Sequence, residues 1–295
     1  MSWAAHEFEN YFIQRHVGVK ASFLAIVLGT QLPDLFTKSF VYAADDPAAF
    51  HRGWPGVGFT HSLIFGFFFA LLTLAATRSR SWAVGILIGH WAHVLTDFAD
   101  SAGTMVFFPF STEPVTVNMW KHAAAEGAYG DAAAYYSSFG GVWDLFWFVT
   151  VLVFARQALT PSYFRNVVIP ADPKVWGWLH RCLRISETGL LLLYWGFMFY
   201  GFGRMVAWFI YARSSEADAT LDLSWGGPSW VVGNDLSDAG LSEVLIRTGI
   251  GGVLFSLFVL LCWKLFARRL WLRGEDPPHV ERGSGLSAVF GRDHV

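Results

Sequence analysis

Histidine and aspartate recur in four short elements of this chain, each in or beside a long apolar run. In one element, His90, His93 and Asp97 are spaced i, i+3 and i+7, which places them on one face of a helix. Ionisable groups at membrane depth are costly and are kept mainly where they pair, bind ions or do chemistry. Imidazole and carboxylate together are typical ligands of zinc and related divalent metals, so the pattern predicts a metal centre among membrane helices. The four elements are His6, Leu32-Pro33-Asp34, Thr60-His61-Ser62 and Gly89-His90-x-x-His93-x-x-x-Asp97.

The composition indicates a membrane protein. Of the 295 residues, 54% are hydrophobic and only 15% are charged, whereas a soluble domain carries about 25% charged residues. The formal net charge is -2 and no basic stripe is present, which argues against a nucleic-acid partner. Cys182 and Cys262 lie far apart, so neither a disulfide framework nor a thiolate zinc site is indicated.

Apolar runs predict an all-α fold, a polytopic transmembrane helical bundle. Residues 3–13 and 21–32 are expected to form an N-terminal helical hairpin. Five further runs are long enough, or nearly so, to span a bilayer. These five runs cover residues 62–77, 82–98, 142–155, 188–211 and 245–266.

The distribution of basic residues orients this bundle. Arginine and lysine fall in 15–20, 78–80, 156–186 and the C-terminal tail, which all reach one side of the predicted membrane. The positive-inside rule makes that side cytoplasmic, so the chain is expected to cross a bacterial-type inner membrane with its C-terminus in the cytoplasm. The loops expected outside are 37–59, 100–140 and 213–244.

The predicted organisation has four parts. A helical region that holds the metal site comes first, and an outer loop, a second set of transmembrane helices and a flexible tail follow. The tail is polar and contains glycine and proline, as is typical of disordered segments. The ranges of the four parts are 1–110, 111–140, 141–273 and 274–295.

The predicted spans bring the ionisable elements to a similar depth. At about 1.5 Å per helical residue from the cytoplasmic ends, they stand roughly 14 to 24 Å into a core about 30 Å thick. Pro33 is expected to end its helix and so to present Asp34 at a helix end. Thr60 is expected to cap the helix that begins near His61.

Two further charges fall inside predicted spans, outside these elements. They are Asp144 and Arg204. Intramembrane charges usually pair with one another or mark a functional site, so these two residues either form a structural ion pair or extend the site toward an anionic substrate. We favour the structural ion pair.

The order of the motifs carries a resemblance to a known family. The chain resembles the membrane-bound predicted metal-dependent hydrolases, which are also described as LexA-regulated and inner-membrane-associated. The resemblance covers roughly the first 110 residues. Its motifs are His6, Leu32-Pro33-Asp34, His51-Arg52-Gly53, Gly58-Phe59-Thr60-His61-Ser62, Gly89-His90 to Asp97, Gly103 and Pro109-Phe110.

The resemblance implies hydrolysis with a divalent metal, zinc before others. His51 and His90 are further candidate ligands beside the main set. In the family, the HRG element often runs directly into FTHS, whereas 54–58 separate the two elements here. The main ligand candidates carried over by position are His6, Asp34, His61, His93 and Asp97.

The chemistry expected of such a centre is metal-assisted hydrolysis with one or two ions. A divalent metal makes hydroxide available from bound water near neutral pH, and either Asp34 or Asp97 takes the proton. Arg52 is expected to clamp an anionic group, because guanidinium matches phosphate bidentately. The His/Asp-rich site in an all-helical protein is also similar to zinc-dependent phospholipase C enzymes, which implies a phosphoester or lipid substrate.

Other classes of protein remain open at this stage. A divalent-metal transporter would use the same residues as a transit site, and a non-catalytic metal-binding subunit would dock on a partner membrane complex. Bis-histidine haem ligation by His61 and His90 would leave Asp34 and Asp97 without a role. His90 either ligates a metal or forms a hydrogen bond between helices.

Overall fold

Helices dominate the architecture of this protein. The computed structural model describes residues 21–41, 58–99, 103–111, 115–119, 135–214, 223 and 241–273. Within these ranges no β-strand occurs, and the only extended pairing is an isolated bridge between Thr104 and Val115. The predicted all-α class is confirmed, whereas the first helix of the predicted hairpin, residues 3–13, lies outside the described residues.

The described residues contain nine helices, which we number in chain order. α5 comprises Pro161–Tyr163, a π-helical turn at Phe164–Val168 and Ile169–Ala171. A 3-10 turn, Gly58–His61, precedes α2, and a π-helical turn, Trp263–Ala267, joins α8 to α9. The other helices are α1 (Phe23–Val41), α2 (Leu63–Thr77), α3 (Arg80–Asp97), α4 (Phe139–Ala158), α6 (Pro173–Cys182), α7 (Glu187–Ser214), α8 (Leu241–Cys262) and α9 (Arg268–Arg273).

The predicted spans coincide with helices. The runs at 62–77, 82–98, 142–155, 188–211 and 245–266 fall on α2, α3, α4, α7 and α8 with its π-helical turn. In the part of the chain that the structure describes, however, no helix has both the length and the apolar character needed to cross a membrane. The spans therefore stay a prediction.

The expectation that Pro33 ends its helix is wrong. Pro33 lies inside α1, which continues to Val41, so Asp34 lies within the helix rather than at its end. Proline removes one helical hydrogen bond and bends the helix, which leaves nearby carbonyls accessible to other donors. Side chains from outside α1 donate to two carbonyls of this stretch, those of Thr30 and Pro33. These bonds help the helix to continue past the proline.

The start of α2 also differs from expectation. Thr60 lies in the 3-10 turn, and the N-cap is Ser62, whose side chain accepts a hydrogen bond from the Phe65 amide. α2 ends at Arg78, which has a left-handed backbone with φ 55° and donates its amide to the Leu74 carbonyl. Ser79 then caps α3, so α2 and α3 are joined by a tight turn.

Two glycines allow α1 and α3 to pack backbone against backbone. A Cβ at Gly29 would lie 2.6 Å from the Ile86 carbonyl oxygen, and one at Gly89 would lie closer still to the Ile26 carbonyl oxygen. Small residues at a helix interface permit this close approach, which is common between membrane helices. The contact fixes α1 and α3 at a short distance and so positions the side chains at their ends.

A separate core lies around the start of α1. Phe23 packs with Phe164, Trp176, Leu191 and Tyr194, which come from α5, α6 and α7. By contrast, α4, α7 and α8 expose many large apolar side chains. Exposed apolar patches of this size mark surfaces that contact other molecules or lipid.

Candidate metal centre

Four ionisable side chains converge where α1, α3 and the 3-10 turn meet. Asp34 comes from α1, His61 ends the 3-10 turn, and His93 and Asp97 lie one turn apart on α3. Each offers one ligand atom, and these atoms all lie within 4.8 Å of one another. All four residues are buried, with Asp34 the most exposed at 4%. The fold therefore collects two imidazoles and two carboxylates into one buried group.

The distances within this group fit a divalent metal. The Nε2 of His93 lies 3.1 Å from the Oδ2 of Asp97 and 3.9 Å from the Oδ1 of Asp34. The Nε2 of His61 lies 3.5 Å and 3.6 Å from the same two oxygens. Ligands about 2.0–2.2 Å from a tetrahedral metal are about 3.3 Å apart, which is close to the 3.1 to 3.9 Å measured here. The group can hold a metal ion.

A backbone carbonyl fixes the tautomer of His93. Its Nδ1 lies 2.7 Å from the carbonyl oxygen of Thr30, which can only accept a hydrogen bond. The proton of the neutral ring is therefore on Nδ1, and the lone pair on Nε2 faces the two carboxylates. Ligating histidines usually hydrogen-bond in this way through the nitrogen that does not bind the metal.

The hydroxyl of Thr60 fixes His61 in the same manner. Thr60 donates its one proton to the Pro33 carbonyl at 3.1 Å, so its Oγ1 accepts from the Nδ1 of His61, also at 3.1 Å. The Nε2 of a neutral His61 then carries a lone pair and faces Asp34 and Asp97. Both imidazoles present the nitrogen that a metal needs.

The charges of the group suit a divalent cation. With both imidazoles neutral, the lone pairs of His61 and His93 face two carboxylates, Asp34 and Asp97, in a buried space. A positive charge lowers the cost of burying carboxylates. A divalent cation would balance the two negative charges and would accept all four lone pairs.

Among the other predicted site residues, His90 lies in the described part of the chain and does not join this group. His90 donates from Nε2 to the Thr60 carbonyl at 2.8 Å, so its neutral ring holds the segment that carries His61. His90 thus makes the predicted hydrogen bond between segments and stands outside the four converging residues. His6, His51 and Arg52 lie outside the described residues, and their roles stay predictions.

Three threonines that position the centre were missed or misread by sequence reasoning. Thr30 and Thr60 orient the two imidazoles, and the hydroxyl of Thr104 donates to the His61 carbonyl at 2.7 Å. The Thr60-His61-Ser62 triplet drew attention to Thr60, but only as a helix cap. Thr30 and Thr104 give no local sequence signal, because their contacts are 63 and 43 residues away in the chain.

Asp144 has a different environment from the carboxylates of the centre. The hydroxyls of Tyr135 and Tyr136 donate to its two oxygens at 2.9 Å and 2.7 Å. The side chain of Arg204 is outside what the structure describes, so the predicted ion pair stays a prediction. Whether or not Arg204 pairs with it, Asp144 links Tyr135 and Tyr136 to α4 through these two hydrogen bonds.

Fold and centre together define an all-helical protein with a buried His/Asp group of the kind that binds a divalent metal. The model of the family described as YdjM inner membrane protein matches residues 4–205. The chain therefore belongs to the YdjM inner membrane protein family, which agrees with the predicted inner-membrane location. The match extends well beyond the first 110 residues that carry the motifs. No curated protein and no solved structure showed significant similarity to the chain.

Proposed function

We propose that this protein is a metal-dependent hydrolase of the inner membrane that acts on a phosphoester or lipid-type substrate. One observation carries the proposal, the convergence of Asp34, His61, His93 and Asp97 within 4.8 Å. A bound divalent ion, zinc before others, supplies a Lewis acid and a water nucleophile at neutral pH.

The geometry supports different roles for the two carboxylates. Asp97 is fully buried and lies closer than Asp34 to His93, at 3.1 Å against 3.9 Å. Asp97 and the two imidazoles therefore form the core of the ligand set. Asp34, the most exposed of the four, is placed to take a proton from an attacking water and to release it. Whether one or two ions bind depends on His6 and His51 as additional ligands.

The surroundings support a membrane setting for this chemistry. The chain belongs to an inner membrane protein family, and α4, α7 and α8 expose large apolar side chains along their lengths. We extend the proposal to the predicted topology, with an N-terminal hairpin, five further spans and the loops 37–59, 100–140 and 213–244 outside. Arg52, in the first of these loops, would contact the anionic part of the substrate.

Elemental analysis of the detergent-purified protein tests the proposal. We expect about one or two equivalents of zinc, manganese or iron in the native protein and less than about a tenth of that in His93→Ala and Asp97→Ala. The matched control is Asp144→Asn, which alters a buried carboxylate bonded to tyrosine hydroxyls and should keep the full metal content. The metal-loaded protein should then hydrolyse a phosphodiester or phospholipid, and Asp34→Asn should lose most of this activity while it retains metal.

Two results would contradict the proposal. Full metal content in both alanine variants would show that these residues do not hold the ion. Metal binding without hydrolysis of any phosphoester or acyl ester would rule out the proposed hydrolase activity and favour a non-catalytic metal-binding subunit.

Divalent-metal transport is the second candidate function. It would use the same buried group of two imidazoles and two carboxylates as a transit site. Pro33 removes one helical hydrogen bond beside the candidate ligand Asp34, although α1 continues to Val41. Uptake of zinc or manganese into proteoliposomes, abolished by Asp97→Ala, would support transport over hydrolysis.

A further inference from the structure

A second cleft lies at the opposite end of α3 from the metal centre. It has a volume of about 670 Å³ and is formed by the turn between α2 and α3, by α5 and α6, and by α9. Ser81 at this cleft and Asp97 at the centre are separated by most of α3, or about 24 Å at 1.5 Å per residue. The cleft is therefore distinct from the candidate metal centre. The lining residues that matter here are Arg78, Ser81, Trp82, Asn166, Lys174 and Trp271.

Positive charge is concentrated at this cleft. Arg78 and Lys174 line it from two different segments, and no aspartate or glutamate is among its described lining residues. Asp172 is buried behind this lining, where it accepts hydrogen bonds from the Ser22 hydroxyl, the Leu24 amide and the side chain of Trp82. An anion in the cleft would thus meet two cations and no opposing acid from the described lining.

Polar groups between the two cations add hydrogen-bond donors. α3 begins at Arg80, directly beside the cleft. The Ser79 hydroxyl accepts from the Trp82 amide, so the amides of Arg80 and Ser81 are the ones that have no partner within the helix. Such amides and the helix dipole favour a phosphate-sized anion. The side chains of Ser81 and Asn166 also line the cleft and can donate to phosphate oxygens. The cleft offers donors of the type that a phosphate monoester or diester needs.

Two tryptophans give the cleft an apolar wall. Trp82 and Trp271 meet edge to face with ring centroids 5.1 Å apart, and the Lys174 ammonium lies 4.8 Å from the Trp271 ring centroid. Tryptophan is enriched where apolar chains meet polar headgroups at a membrane surface. Donors for a phosphate beside an aromatic wall suit an amphiphile better than a small soluble anion.

We propose that this cleft binds the phosphate-bearing headgroup of an anionic phospholipid. Arg78 and Lys174 pair with the phosphate from two sides, and the tryptophans contact the start of the acyl chains. Basic pockets on the cytoplasmic side of membrane proteins bind such headgroups. Arg78 and Lys174 both fall in segments that the charge distribution assigns to that side. The proposal stands apart from the hydrolase function, because it concerns a different cleft.

Binding of short-chain lipids to the full-length protein in neutral detergent tests this site. The probes are dioctanoyl phosphatidylglycerol, dioctanoyl phosphatidylcholine and glycerol phosphate, with the Kd taken from lipid-dependent shifts in Tm. We expect phosphatidylglycerol to bind at least about tenfold more tightly than the other two probes. The double variant Arg78→Gln/Lys174→Gln should weaken its binding by about tenfold or more.

A matched control separates the cleft from general surface charge. Arg156→Gln/Lys264→Gln removes the same charge from exposed residues that do not line the cleft, and its affinity should stay within about twofold of the native value. Equal losses in both double variants would overturn the proposal, and so would equal binding of phosphatidylcholine. Glycerol phosphate that bound as tightly as phosphatidylglycerol would assign the cleft to a soluble phosphate compound and overturn the lipid assignment. If the double variant fails to fold, Lys174→Gln alone carries the same comparison.

Discussion

Two buried carboxylate environments lie along α1, one at its start and one about three helical turns further on. At the start, Asp172 accepts hydrogen bonds from the Ser22 hydroxyl and the Leu24 amide. Further along the helix, Asp34 faces the Nε2 atoms of His61 and His93. All of these side chains are buried. Burial alone therefore does not distinguish a structural carboxylate from one that binds a metal, whereas the chemical nature of its neighbours does.

The two environments differ in what faces the carboxylates: hydrogen-bond donors at Asp172, and imidazole lone pairs at Asp34. Hydroxyl and amide donors bring protons to Asp172, so that end of α1 is complete without a ligand. At the metal centre, a carbonyl and a hydroxyl hold the Nδ1 protons of the two imidazoles, which turns lone pairs toward the carboxylates. Lone pairs and carboxylates repel one another unless a cation lies between them. The hydrogen bonds of Asp172 thus stabilise the start of α1, whereas the group around Asp34 has the atoms needed to hold a metal ion.

Separating α1 from α3 should have the largest effect on stability and on metal binding, because the surroundings of both Asp172 and Asp34 depend on the contact between these helices. Gly89→Ala places a Cβ against the Ile26 carbonyl, which cannot move by a change of rotamer. We expect a loss of about 3 kcal/mol in the free energy of unfolding, together with weaker metal binding. Thermal unfolding and metal content measure both effects.

The matched control for this substitution lies in α7. A Cβ at Gly196 would meet nothing within 4 Å, so Gly196→Ala should be neutral or stabilising by up to about 1 kcal/mol. Similar destabilisation by both alanines would mean that the close approach of α1 and α3 does not limit stability.

The Asp172 end should respond to pH. Burial raises the pKa of Asp172 to about 6 from 3.8, against the opposing effect of its hydrogen bonds. Because the folded state holds this proton more tightly, the stabilisation is complete below the unfolded pKa and is lost as pH rises through about 6. Relative to Asp172→Asn, the native protein should therefore gain about 2 kcal/mol as pH falls from 7 to 4.

Denaturant unfolding of the two proteins at matched pH values measures this gain. The metal centre responds in the opposite direction, because acid protonates metal ligands. Taking the difference between the two proteins cancels that contribution, since both contain the same centre. A difference that stayed constant from pH 7 to pH 4 would show that the pKa of Asp172 is not raised in the folded state.

The sequence predicted where most helices lie and which residue types could bind a metal, but it did not predict the course of α1 past Pro33. Apolar runs located α2, α3, α4, α7 and α8, because helix length and composition are local properties. The spacing of His93 and Asp97 likewise follows from helix geometry alone. Pro33 misled the local argument, since its cost is offset by contacts made with carbonyls of α1 from residues far along the chain.

Long-range hydrogen bonds account for what the sequence did not reveal. The Asp172 contact with Ser22 joins residues 150 positions apart, and nothing near Asp172 distinguishes it from a surface residue of a connecting loop. The orientation of His61 depends in the same way on a hydroxyl and a carbonyl brought together only by the fold. Residue type thus predicted which side chains could bind a metal, while the structure supplies the donors that determine their protonation.

Removing the Thr60 hydroxyl, which both donates and accepts a hydrogen bond, should have the smallest effect. It tests directly whether a hydrogen bond orients the lone pair of His61. Thr60→Val keeps the shape of the side chain but removes the acceptor for the Nδ1 of His61 and the donor to the Pro33 carbonyl. We expect metal affinity to fall by about tenfold, with the fold intact, as for other partners of ligating histidines. Thr60→Ser should restore most of the affinity, because it returns the hydroxyl.

The control for Thr60 is Thr150→Val in α4, where the threonine hydroxyl donates to the Phe146 carbonyl of its own helix. This variant loses a hydrogen bond of similar length with no histidine attached, so metal affinity should not change. If Thr60→Val binds metal as tightly as Thr150→Val, the proton on His61 is not set by Thr60. Of the two imidazoles, His93 alone would then have its lone pair directed at the carboxylates by a hydrogen bond, the one between its Nδ1 and the Thr30 carbonyl.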